Sequence, residues 1–395
     1  MKVLRVIATM NPSHGGPCQG IRNAIPALKS LGVSNEVVCL DDPSASYLGN
    51  DAFIIHAVGK GKGPWAYHAA LSTWLEKNMS AYDMVIIHGL WLYHSYAVTK
   101  ITRKLHKRKQ INCPKVFVMP HGMLDPYFQK AKGRKLKALR NLIYWALIEK
   151  KVINQADGIL FTCEEELKLA RTTFASYAPK KEINVGYGVV QPDIGERETI
   201  ASVLANSPLL PSKKYLLFLS RIHQKKGVDL LIKAYKKTKS AVYGKLPQLV
   251  IAGPGLDTEF GKEIKELADN EPDIIFPGML SGQLKWAAFY GCEAFILPSH
   301  QENFGIAVVE ALASGKPVLI SDKVNIWREI DREKAGIVMP DTEEGVHQTL
   351  LKWFSMSPDE KGIMAEQATI AFAKHFTVEQ AAKRTVEVIK EETYG

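Results

Sequence analysis

The chain of 395 residues is 46% hydrophobic and 23% charged, with a net charge of +10, which is typical of a globular protein with two domains. Its apolar runs fall short of the roughly 18 residues that a membrane-spanning helix needs, and the amino-terminal one is too short for a signal peptide, so we expect a cytoplasmic protein. The five cysteines are scattered without a C-x-x-C pair, which argues against a disulfide framework or a zinc site.

The first predicted strand, VLRVIATM, leads into a glycine-containing loop. Gly15 and Gly16 close this loop before the helical pattern GIRNAIPALKSLG. Paired glycines after a strand are typical of a loop whose backbone N–H groups can face a phosphate or a sugar. We therefore interpret both glycines as candidate ligand contacts.

Four more predicted strands follow in the first half, NEVVCL, DMVIIH, KVFVMPH and GILFTC. His88 ends the second of these and begins a candidate acceptor loop, in which Trp91 could stack on a sugar or pack in the core. His121 and Asp125 follow the third strand in the order His-Gly-x-x-Asp. A lone histidine is more often structural, but the carboxyl end of a parallel strand is where α/β sheets bind ligands, which favours hydrogen bonds to sugar hydroxyls.

Positive charge is concentrated in the first half. Residues 1–190 contain 26 Lys and Arg against 13 Asp and Glu, whereas the remainder contains 25 against 28. The excess lies in residues 104–109 and 129–153, and the second segment alternates basic residues with leucines as an amphipathic helix would. A core-packed helix and a helix that adheres to an anionic membrane both fit this pattern. We expect no nucleic-acid partner, because no recognisable binding module accompanies the charge.

The second half repeats the alternation of helices and strands. Residues 192–214 are rich in polar residues and proline and are predicted to be a linker. The strands that follow are YLLFLS, PQLVIAG, DIIFPG, EAFILP, PVLIS and GIVM, and Thr377 begins a capping box for a final helix. Each half is therefore predicted to be an open parallel α/β sheet, and two such sheets facing each other would enclose a ligand cleft.

Candidate anion ligands follow the first strand of the second half. Arg221 and Lys226 come directly after YLLFLS, ahead of a helical pattern. Two cations at such a turn can neutralise a diphosphate, Arg by a bidentate fork and Lys as a point charge. Lys225 is adjacent, so the choice between the two lysines is open.

Small and apolar residues follow the next two strands. Gly253 comes after PQLVIA and permits the close approach of a ligand, although a plain turn explains it equally well. Met279 and Leu280 come after DIIFPG and could surround a nucleobase, while core packing is the alternative for Met279.

The segment SHQENFGIAVVEALASGKPVLISD places two acids around a helix start. Glu302 lies in the loop after a buried strand and Glu310 lies in the helix. Between them, backbone N–H groups at the helix N-terminus favour phosphate, namely those of Phe304, Gly305 and Ile306. Because carboxylates repel phosphate, acids on both sides suggest neutral hydroxyls there, which is the layout of a nucleotide sugar. Two solvated or dipole-favoured glutamates are the alternative.

Five motifs in this order resemble the retaining glycosyltransferases of family 4. They are the Gly-Gly loop, His-Gly-x-x-Asp, Arg-x4-Lys-Gly, Ala-Gly-x-Gly, and Glu-x-Phe-Gly with a second Glu eight residues after the first. The resemblance implies the α/β GT-B fold, with two Rossmann-like domains facing across a cleft. Residues 1–192 with a returning helix in 376–395 would bind the acceptor, and residues 193–375 would bind the nucleotide sugar. Ser220 departs from the pattern, since a glycine usually precedes the arginine.

The resemblance also implies residue roles. Glu310 would bind the ribose hydroxyls, and Glu302 with the backbone of residues 303–306 would hold the hexose. Gly16 would contact phosphate, and His121 would contact the 6-hydroxyl near the reacting carbon. The implied catalytic residues are His121, Arg221, Lys226 and Glu302. The other implied donor contacts are Gly15, Gly16, Gly253, Met279, Leu280, Asn303, Phe304, Gly305, Ile306 and Glu310. The candidate acceptor residues are His88, Trp91 and Asp125.

The implied reaction is retaining transfer of a hexose from a nucleotide-diphosphate sugar to a glycan or lipid-linked glycan in envelope or exopolysaccharide assembly. UDP-glucose is the first expectation for the donor. No D-x-D motif occurs, so we expect no metal and no cofactor besides this substrate. A nucleotide-sugar epimerase, a glycogen-type phosphorylase and a non-catalytic two-lobed sugar- or nucleotide-binding protein are the alternatives. A peripheral contact with an anionic membrane would suit the basic first half.

Overall fold

The computed structural model describes residues 1–108, 112–131, 134–192, 194–242 and 246–394. Some residues of the predicted basic segments and linker lie outside these ranges, namely Lys109, Lys132, Gly133 and Asp193. None of the described helices has the length and apolar character needed to cross a bilayer. The five cysteines are free, and all except the half-buried Cys113 are buried, as expected of reduced thiols.

The chain divides into two compact units. Unit 1 comprises Met1–Gly188 and Thr377–Gly395, and unit 2 comprises Val189–Phe376. Each unit contains one parallel sheet with helices packed against it.

The sheet of unit 1 has seven strands among the described residues, in the order β3-β2-β1-β4-β5-β6-β7. The strands are β1 (Lys2–Ile7), β2 (Ser34–Cys39), β3 (Ile55–Ala57), β4 (Met84–His88), β5 (Lys115–Met119), β6 (Gly158–Phe161) and β7 (Glu182–Asn184). Neighbouring strands pair in parallel throughout. The five strands predicted for this half are confirmed, and the two edge strands, of three residues each, were not predicted.

The helices of unit 1 alternate with these strands. They are α1 (Gly16–Ser30), α2 (Ala69–Asn78), α3 (Tyr93–Lys107), α4 (Tyr127–Lys130), α5 (Lys135–Tyr144), α6 (Lys150–Gln155) and α7 (Glu164–Ala170). A π-helical turn, Trp145–Glu149, joins α5 to α6.

The predicted amphipathic helix in 129–153 turns an apolar face outward. The exposed fraction is 85% for Leu136 and 66% for Leu147, and three further apolar side chains are more than half exposed, Leu139, Leu142 and Ile143. Trp145 is buried and stacks on Phe174 at 4.5 Å between ring centroids. Core packing of this face is therefore wrong for the five aliphatic residues.

The sheet of unit 2 has six parallel strands among the described residues, in the order β10-β9-β8-β11-β12-β13. The strands are β8 (Tyr215–Leu219), β9 (Gln248–Ala252), β10 (Ile274–Gly278), β11 (Ala294–Leu297), β12 (Val318–Ser321) and β13 (Gly336–Met339). All six predicted strands are confirmed.

The helices of unit 2 begin inside the predicted linker. They are α8 (Ile194–Asn206), α9 (Val228–Ala241), α10 (Glu259–Ala268), α11 (Gly282–Gly291), α12 (Ile306–Ala313), α13 (Trp327–Arg332), α14 (Glu343–Ser355) and α15 (Pro358–Ala371). The linker expectation for residues 192–214 is wrong over α8, because this helix buries Ile200 and packs against α11.

The final helix, α16 (Val378–Tyr394), belongs to unit 1. Thr377 caps it by accepting a hydrogen bond from the backbone N–H of Gln380 at 3.3 Å. Its apolar side chains Ala382, Val386 and Ile389 join a core cluster with Val3 and Phe117 on one face of the sheet. Because side chains alternate along a strand, Leu4 and Val6 pack in the cluster on the other face.

Both sheets change direction at one internal strand pair. In unit 1 the chain proceeds outward from β1 to β3 and then returns to β4 beside β1, and in unit 2 it does the same from β8 to β10 and back to β11. Ligands of open α/β sheets bind outside the carboxyl ends of the strands at such a switch point. The loops after β1, β4, β8 and β11 are therefore the places to look for a site.

Candidate active site

Lys226 and Glu302 form an ion pair at the switch point of unit 2. Lys226 ends the loop after β8, Glu302 lies in the loop after β11, and the lysine Nζ contacts Oε2 of the carboxylate. Gly227 makes this approach possible, because its φ is +66° and a Cβ there would lie 2.1 Å from the carbonyl oxygen of Pro298. Lys226 is buried whereas Lys225 is half-buried, so the structure singles out Lys226 as the lysine of the pair.

The ion pair determines the ionisation of Glu302. Burial raises the pKa of this carboxyl, but the charge of Lys226 and its hydrogen bond outweigh burial, so the pKa lies below its ordinary value. Lys225 and the backbone N–H of Asn303 act in the same direction. A half-buried, ionised carboxylate therefore lies beside a buried ammonium group at a sheet edge suited to ligand binding.

The backbone after Glu302 turns sharply into α12. Gly305 has φ +73° and ψ +64°, the left-handed conformation that glycine adopts most easily, and it is the N-cap residue of α12. A Cβ at this position would lie 3.1 Å from Cγ2 of Val308 and 3.3 Å from Cγ of Glu302. The turn thus leaves the first N–H groups of α12 without intrahelical partners, as at any helix start, and these groups favour an anion.

Glu310 has a separate partner. It lies on α12, and its Oε1 is 2.6 Å from Nζ of Lys285 on α11. Burial raises the pKa of Glu310 above its ordinary value, and the charge of Lys285 only partly offsets this effect. The two glutamates singled out by the sequence are therefore each paired with a different lysine, and Lys285 was not predicted.

The other predicted donor residues of unit 2 lie around the same sheet edge. Arg221 is exposed in the loop after β8, and Gly253 after β9 packs so tightly that a Cβ would lie 1.9 Å from the carbonyl oxygen of Ser220. Leu280 is buried, but Met279 is 71% exposed, so the core-packing alternative for Met279 is wrong.

Phe304 is buried against Phe376, with 5.8 Å between ring centroids. Asn303 accepts a hydrogen bond from Nδ2 of Asn325 at 3.4 Å, and Ile306 begins α12.

The predicted histidines of unit 1 are in contact. Nδ1 of His88 lies 2.9 Å from Nε2 of His121, and Nη1 of Arg5 lies 3.0 Å from Nε2 of His88. Burial lowers the pKa of His121 to about 3, with a contribution from the charge of Arg5, and the same two causes hold the pKa of His88 well below its usual range. Both rings are therefore neutral at pH 7.

A buried carboxylate supports the loop that carries His121. His121 itself has φ +52°, an unusual conformation for a residue with a Cβ. The backbone N–H of the next residue, Gly122, donates to Oε1 of Glu166, whose other oxygen accepts from Thr162. Asp125 ends the same turn, where Oδ1 accepts from the backbone N–H of Tyr127 at 2.8 Å. Asp125 is buried and in this conformation serves the turn.

The glycines after β1 shape the start of α1. Gly15 has φ +84° and precedes the helix, and the carbonyl oxygen of Gly16 accepts a hydrogen bond from the hydroxyl of Tyr187. A Cβ on Gly15 would meet no atom within 4 Å, so its conformation and not crowding calls for glycine.

Trp91, in the candidate acceptor loop, is held by another buried acid. Its φ is +71°, and its backbone N–H donates to Oε1 of Glu149 at 2.7 Å. Its ring packs against Phe174 and Tyr144, with centroids 5.6 and 6.1 Å away. Glu149 lies in the π-helical turn, and burial raises its pKa to about 7.

Four charged residues that make these contacts were not predicted from the sequence, namely Arg5, Glu149, Glu166 and Lys285. Arg5 had a visible signal, because a charged residue interrupts the apolar strand KVLRVI. Glu149, Glu166 and Lys285 had none, since acids and lysines in helical segments usually face solvent. Among the described residues, no group of three or more His, Cys, Asp or Glu side chains is arranged to hold a metal ion.

Two family models together match most of the chain. Residues 15–185 match the glycosyl transferase 4-like domain, and residues 204–369 match glycosyl transferases group 1. The chain belongs to the group 1 glycosyltransferases. The matches cover the segments that contain His88 and His121 in unit 1 and those that contain Lys226, Glu302 and Glu310 in unit 2.

Curated relatives of this glycosyltransferase are distant. An uncharacterized glycosyltransferase of Methanocaldococcus jannaschii is 30% identical over 36% of this chain and 37% of its own length. A D-inositol 3-phosphate glycosyltransferase of Jonesia denitrificans is 24% identical over 51% of this chain and 50% of its own. One from Corynebacterium urealyticum is 20% identical over 95% of this chain and 90% of its own. The chain thus aligns with about half or less of the first two relatives.

Solved structures establish the fold. Sucrose-phosphate synthase from Thermosynechococcus elongatus superimposes with a TM-score of 0.73 at 18% identity, covering 99% of both chains. Anabaena HepE in complex with UDP superimposes with a TM-score of 0.74 at 14% identity, covering 99% of this chain and 100% of HepE. The glycosyltransferase therefore has the GT-B fold of two Rossmann-like units.

Proposed function

We propose that this group 1 glycosyltransferase moves a hexose from a nucleotide-diphosphate sugar to a hydroxyl of a glycan or lipid-linked glycan, with retention of configuration. The observation that carries the proposal is the Lys226–Glu302 pair beside the Gly305 turn, at the switch point of the unit 2 sheet. UDP-glucose is the proposed donor, a choice supported by Anabaena HepE, which has been solved with UDP-glucose.

The proposed donor contacts follow from the chemistry of each group. Arg221 and Lys226 neutralise the diphosphate, which is the leaving group, and the N–H groups at the start of α12 add positive potential. Glu302 and Glu310 accept hydrogen bonds from the sugar and ribose hydroxyls, because an ionised carboxylate can only accept and a hydroxyl can donate. The acceptor hydroxyl attacks the anomeric carbon on the face that the diphosphate leaves, and its proton passes to an oxygen of the departing diphosphate. The cations stabilise the negative charge that develops on the diphosphate. No metal or other cofactor takes part in the proposed mechanism.

Nucleotide release from a panel of UDP-, GDP- and ADP-sugars, with and without lipid-linked glycan, tests the function. We expect acceptor-dependent UDP release from UDP-glucose, and at least a 100-fold lower turnover in Lys226→Ala. Lys225→Ala is the matched control, because Lys225 is the neighbouring lysine outside the buried pair, and it should keep most turnover. Full turnover by Lys226→Ala would contradict the diphosphate role. Consumption of donor without any acceptor would instead favour an epimerase.

We also propose that the protein works in the cytoplasm at an anionic membrane, through a docking face formed by Leu136, Leu139, Leu142, Ile143 and Leu147. Lys135, Lys137 and Arg140 are exposed beside this face, and Glu149, the one acid between residues 130 and 151, is buried. Exposed apolar side chains among cations suit a bilayer with anionic headgroups, where each nearby cation contributes about 1 kcal/mol. A second copy would bring the same positive charge and be repelled.

Vesicle flotation tests the docking face. The protein should float with vesicles of phosphatidylglycerol and phosphatidylcholine but not with phosphatidylcholine alone, and Leu136→Gln with Leu139→Gln should abolish flotation. Ile363→Gln with Ile370→Gln is the control, because these two side chains are also exposed apolar residues but belong to α15 of unit 2. Equal flotation with and without phosphatidylglycerol, or flotation retained after both leucine substitutions, would exclude this face as the membrane-docking surface.

A further inference from the structure

Arg5 is a buried cation whose described partners are all neutral. It is 4% exposed on β1, and its Nε donates to Oδ1 of Asn35 at 3.0 Å. Its Nη1 contacts Nε2 of His88, and His88 in turn contacts His121 through Nδ1. Arg5, His88 and His121 line a cavity of about 40 Å³ in unit 1, whose described lining contains no carboxylate. A buried arginine without a counter-ion is costly, so its hydrogen bonds call for an explanation.

The direction of hydrogen bonding along this chain of groups is determined by chemistry. A guanidinium group can only donate, so Nε2 of His88 must accept and carries no proton. His88 is then neutral with its proton on Nδ1, which donates to Nε2 of His121. Nε2 of His121 is therefore an acceptor as well, and a neutral His121 carries its proton on Nδ1.

We propose that Arg5 is a positioning residue that fixes the tautomers of His88 and His121, so that His121 presents its Nδ1–H as a hydrogen-bond donor to a ligand oxygen. No described residue accepts a hydrogen bond from Nδ1 of His121. The inference rests on the proposed function only in naming the ligand oxygen, which is the 6-hydroxyl of the donor hexose.

This arrangement limits what His121 can do. Nδ1 of His121 already carries a proton, so it can donate to an oxygen lone pair but cannot remove a proton from a substrate. Nε2 of His121 accepts the hydrogen bond from His88 and is therefore not available as a base. Protonation of His121 would place two donors, Nδ1–H of His88 and Nε2–H of His121, against each other. Burial and the charge of Arg5, which hold the pKa of His121 near 3, act in the same direction. His121 is thus a neutral donor and not a general base.

Two-bond ¹H–¹⁵N NMR spectra of the full chain labelled with ¹⁵N-histidine test the tautomers directly. In the unmodified protein at pH 7, we expect His88 and His121 both protonated on Nδ1, with assignment by His88→Gln and His121→Asn. Arg5→Lys keeps a pure donor and should preserve the pattern, whereas Arg5→Met should let His121 populate the Nε2–H form. A cationic His121, or one protonated on Nε2 in the unmodified protein, would overturn the proposal. This spectrum needs no substrate, and that of the unmodified protein decides the tautomers even if Arg5→Met fails to fold.

Kinetics then test the link to the ligand. Arg5→Met should lower kcat/KM for UDP-glucose about tenfold, the effect of one neutral hydrogen bond, and leave kcat/KM for UDP-6-deoxyglucose unchanged. Arg5→Lys should recover UDP-glucose turnover to within threefold of the unmodified protein. Equal losses with both donors would reduce Arg5 to a structural role and overturn the proposal. If no nucleotide sugar is turned over at all, the proposed function fails while the NMR result still decides the tautomers.

Discussion

Replacing Lys226 with methionine removes the counter-charge of Glu302 and keeps most of the side-chain volume. The lysine side chain is 8% exposed and that of Glu302 21% exposed, so water screens the pair only in part. Removing one partner of a buried ion pair costs about 3–5 kcal/mol, and the partial exposure of Glu302 places this pair near the lower figure. In a domain of this size about 1 kcal/mol corresponds to roughly 2–4 °C, so we expect the apparent Tm of unit 2 to fall by about 6–12 °C.

The loss should depend on pH in a defined direction. In the unmodified protein the pKa of Glu302 is below its ordinary value. The ionised carboxylate therefore stabilises the fold at pH values above the pKa that Glu302 has in the unfolded chain. This stabilisation is lost as the pH falls through the lower pKa that Glu302 has in the folded protein. In Lys226→Met, burial acts without the opposing charge, so the folded pKa lies above the unfolded value and stability falls as the pH rises. The difference between the two proteins is therefore largest near pH 7.5. It narrows as the pH falls through the raised pKa of Glu302 in the variant, and it becomes small only below the lowered pKa of Glu302 in the unmodified protein.

Differential scanning calorimetry at pH 4.5 and 7.5 measures this difference. Lys225→Met is the matched control. Because Lys225 is half-buried and acts on Glu302 less strongly than Lys226 does, we expect a smaller loss of Tm from this change. Adding Glu302→Gln to Lys226→Met should restore much of the stability at pH 7.5, because an amide does not ionise. If Lys226→Met lowers Tm at pH 7.5 no more than Lys225→Met does, solvent screens the pair and the reasoning is refuted.

Two further predictions concern strained and buried groups. Burial raises the pKa of Glu149 in the folded protein to about 7, so the protein loses stability as the pH rises from the unfolded pKa toward 7. Glu149→Gln should therefore raise the free energy of unfolding, measured in urea, by up to about 3 kcal/mol at pH 8. At pH 4.5 the same change should leave it unaltered. Gly305→Ala should cost about 1–2 kcal/mol, since its φ is +73°, and should also weaken UDP binding measured by calorimetry. Gly315→Ala, at φ +67°, is the control, with a similar loss of stability but unchanged UDP affinity.

The sequence predicted the sheets better than their edges and connections. Central strands such as β4 and β11 are buried on both faces and read as continuous apolar runs, so periodicity finds them. The edge strands β3 and β7 have three residues each, with no buried residue, and offer no such run. Helix α8 lies in a polar, proline-flanked segment, and only its packing against α11 shows that it is more than a linker.

The candidate site divides in the same way. Motif order and strand ends placed Lys226, Glu302 and His121 at the correct edges of their sheets. The choice between Lys225 and Lys226 needed the structure, because burial and pairing depend on the approach of two loops separated by more than 70 residues. The contacts of Glu149 with Trp91 and of Glu166 with the loop of His121 were not predicted for a similar reason. Both acids lie in later helical segments, where their sequence pattern does not distinguish them from solvent-facing acids.

The Lys226–Glu302 pair also bears on how a diphosphate could bind. A buried ammonium group that stood alone would be costly, and the adjacent carboxylate removes most of that cost. A diphosphate would compete with the Glu302 carboxylate for the Lys226 ammonium group. Binding would then replace one anion beside the lysine with another, without the further cost of desolvating a free cation. Glu302, released from Lys226, would then be free to accept hydrogen bonds from the sugar hydroxyls. The pair in unit 2 thus stabilises the site without ligand and at the same time keeps both groups in the charge states that the proposed donor requires.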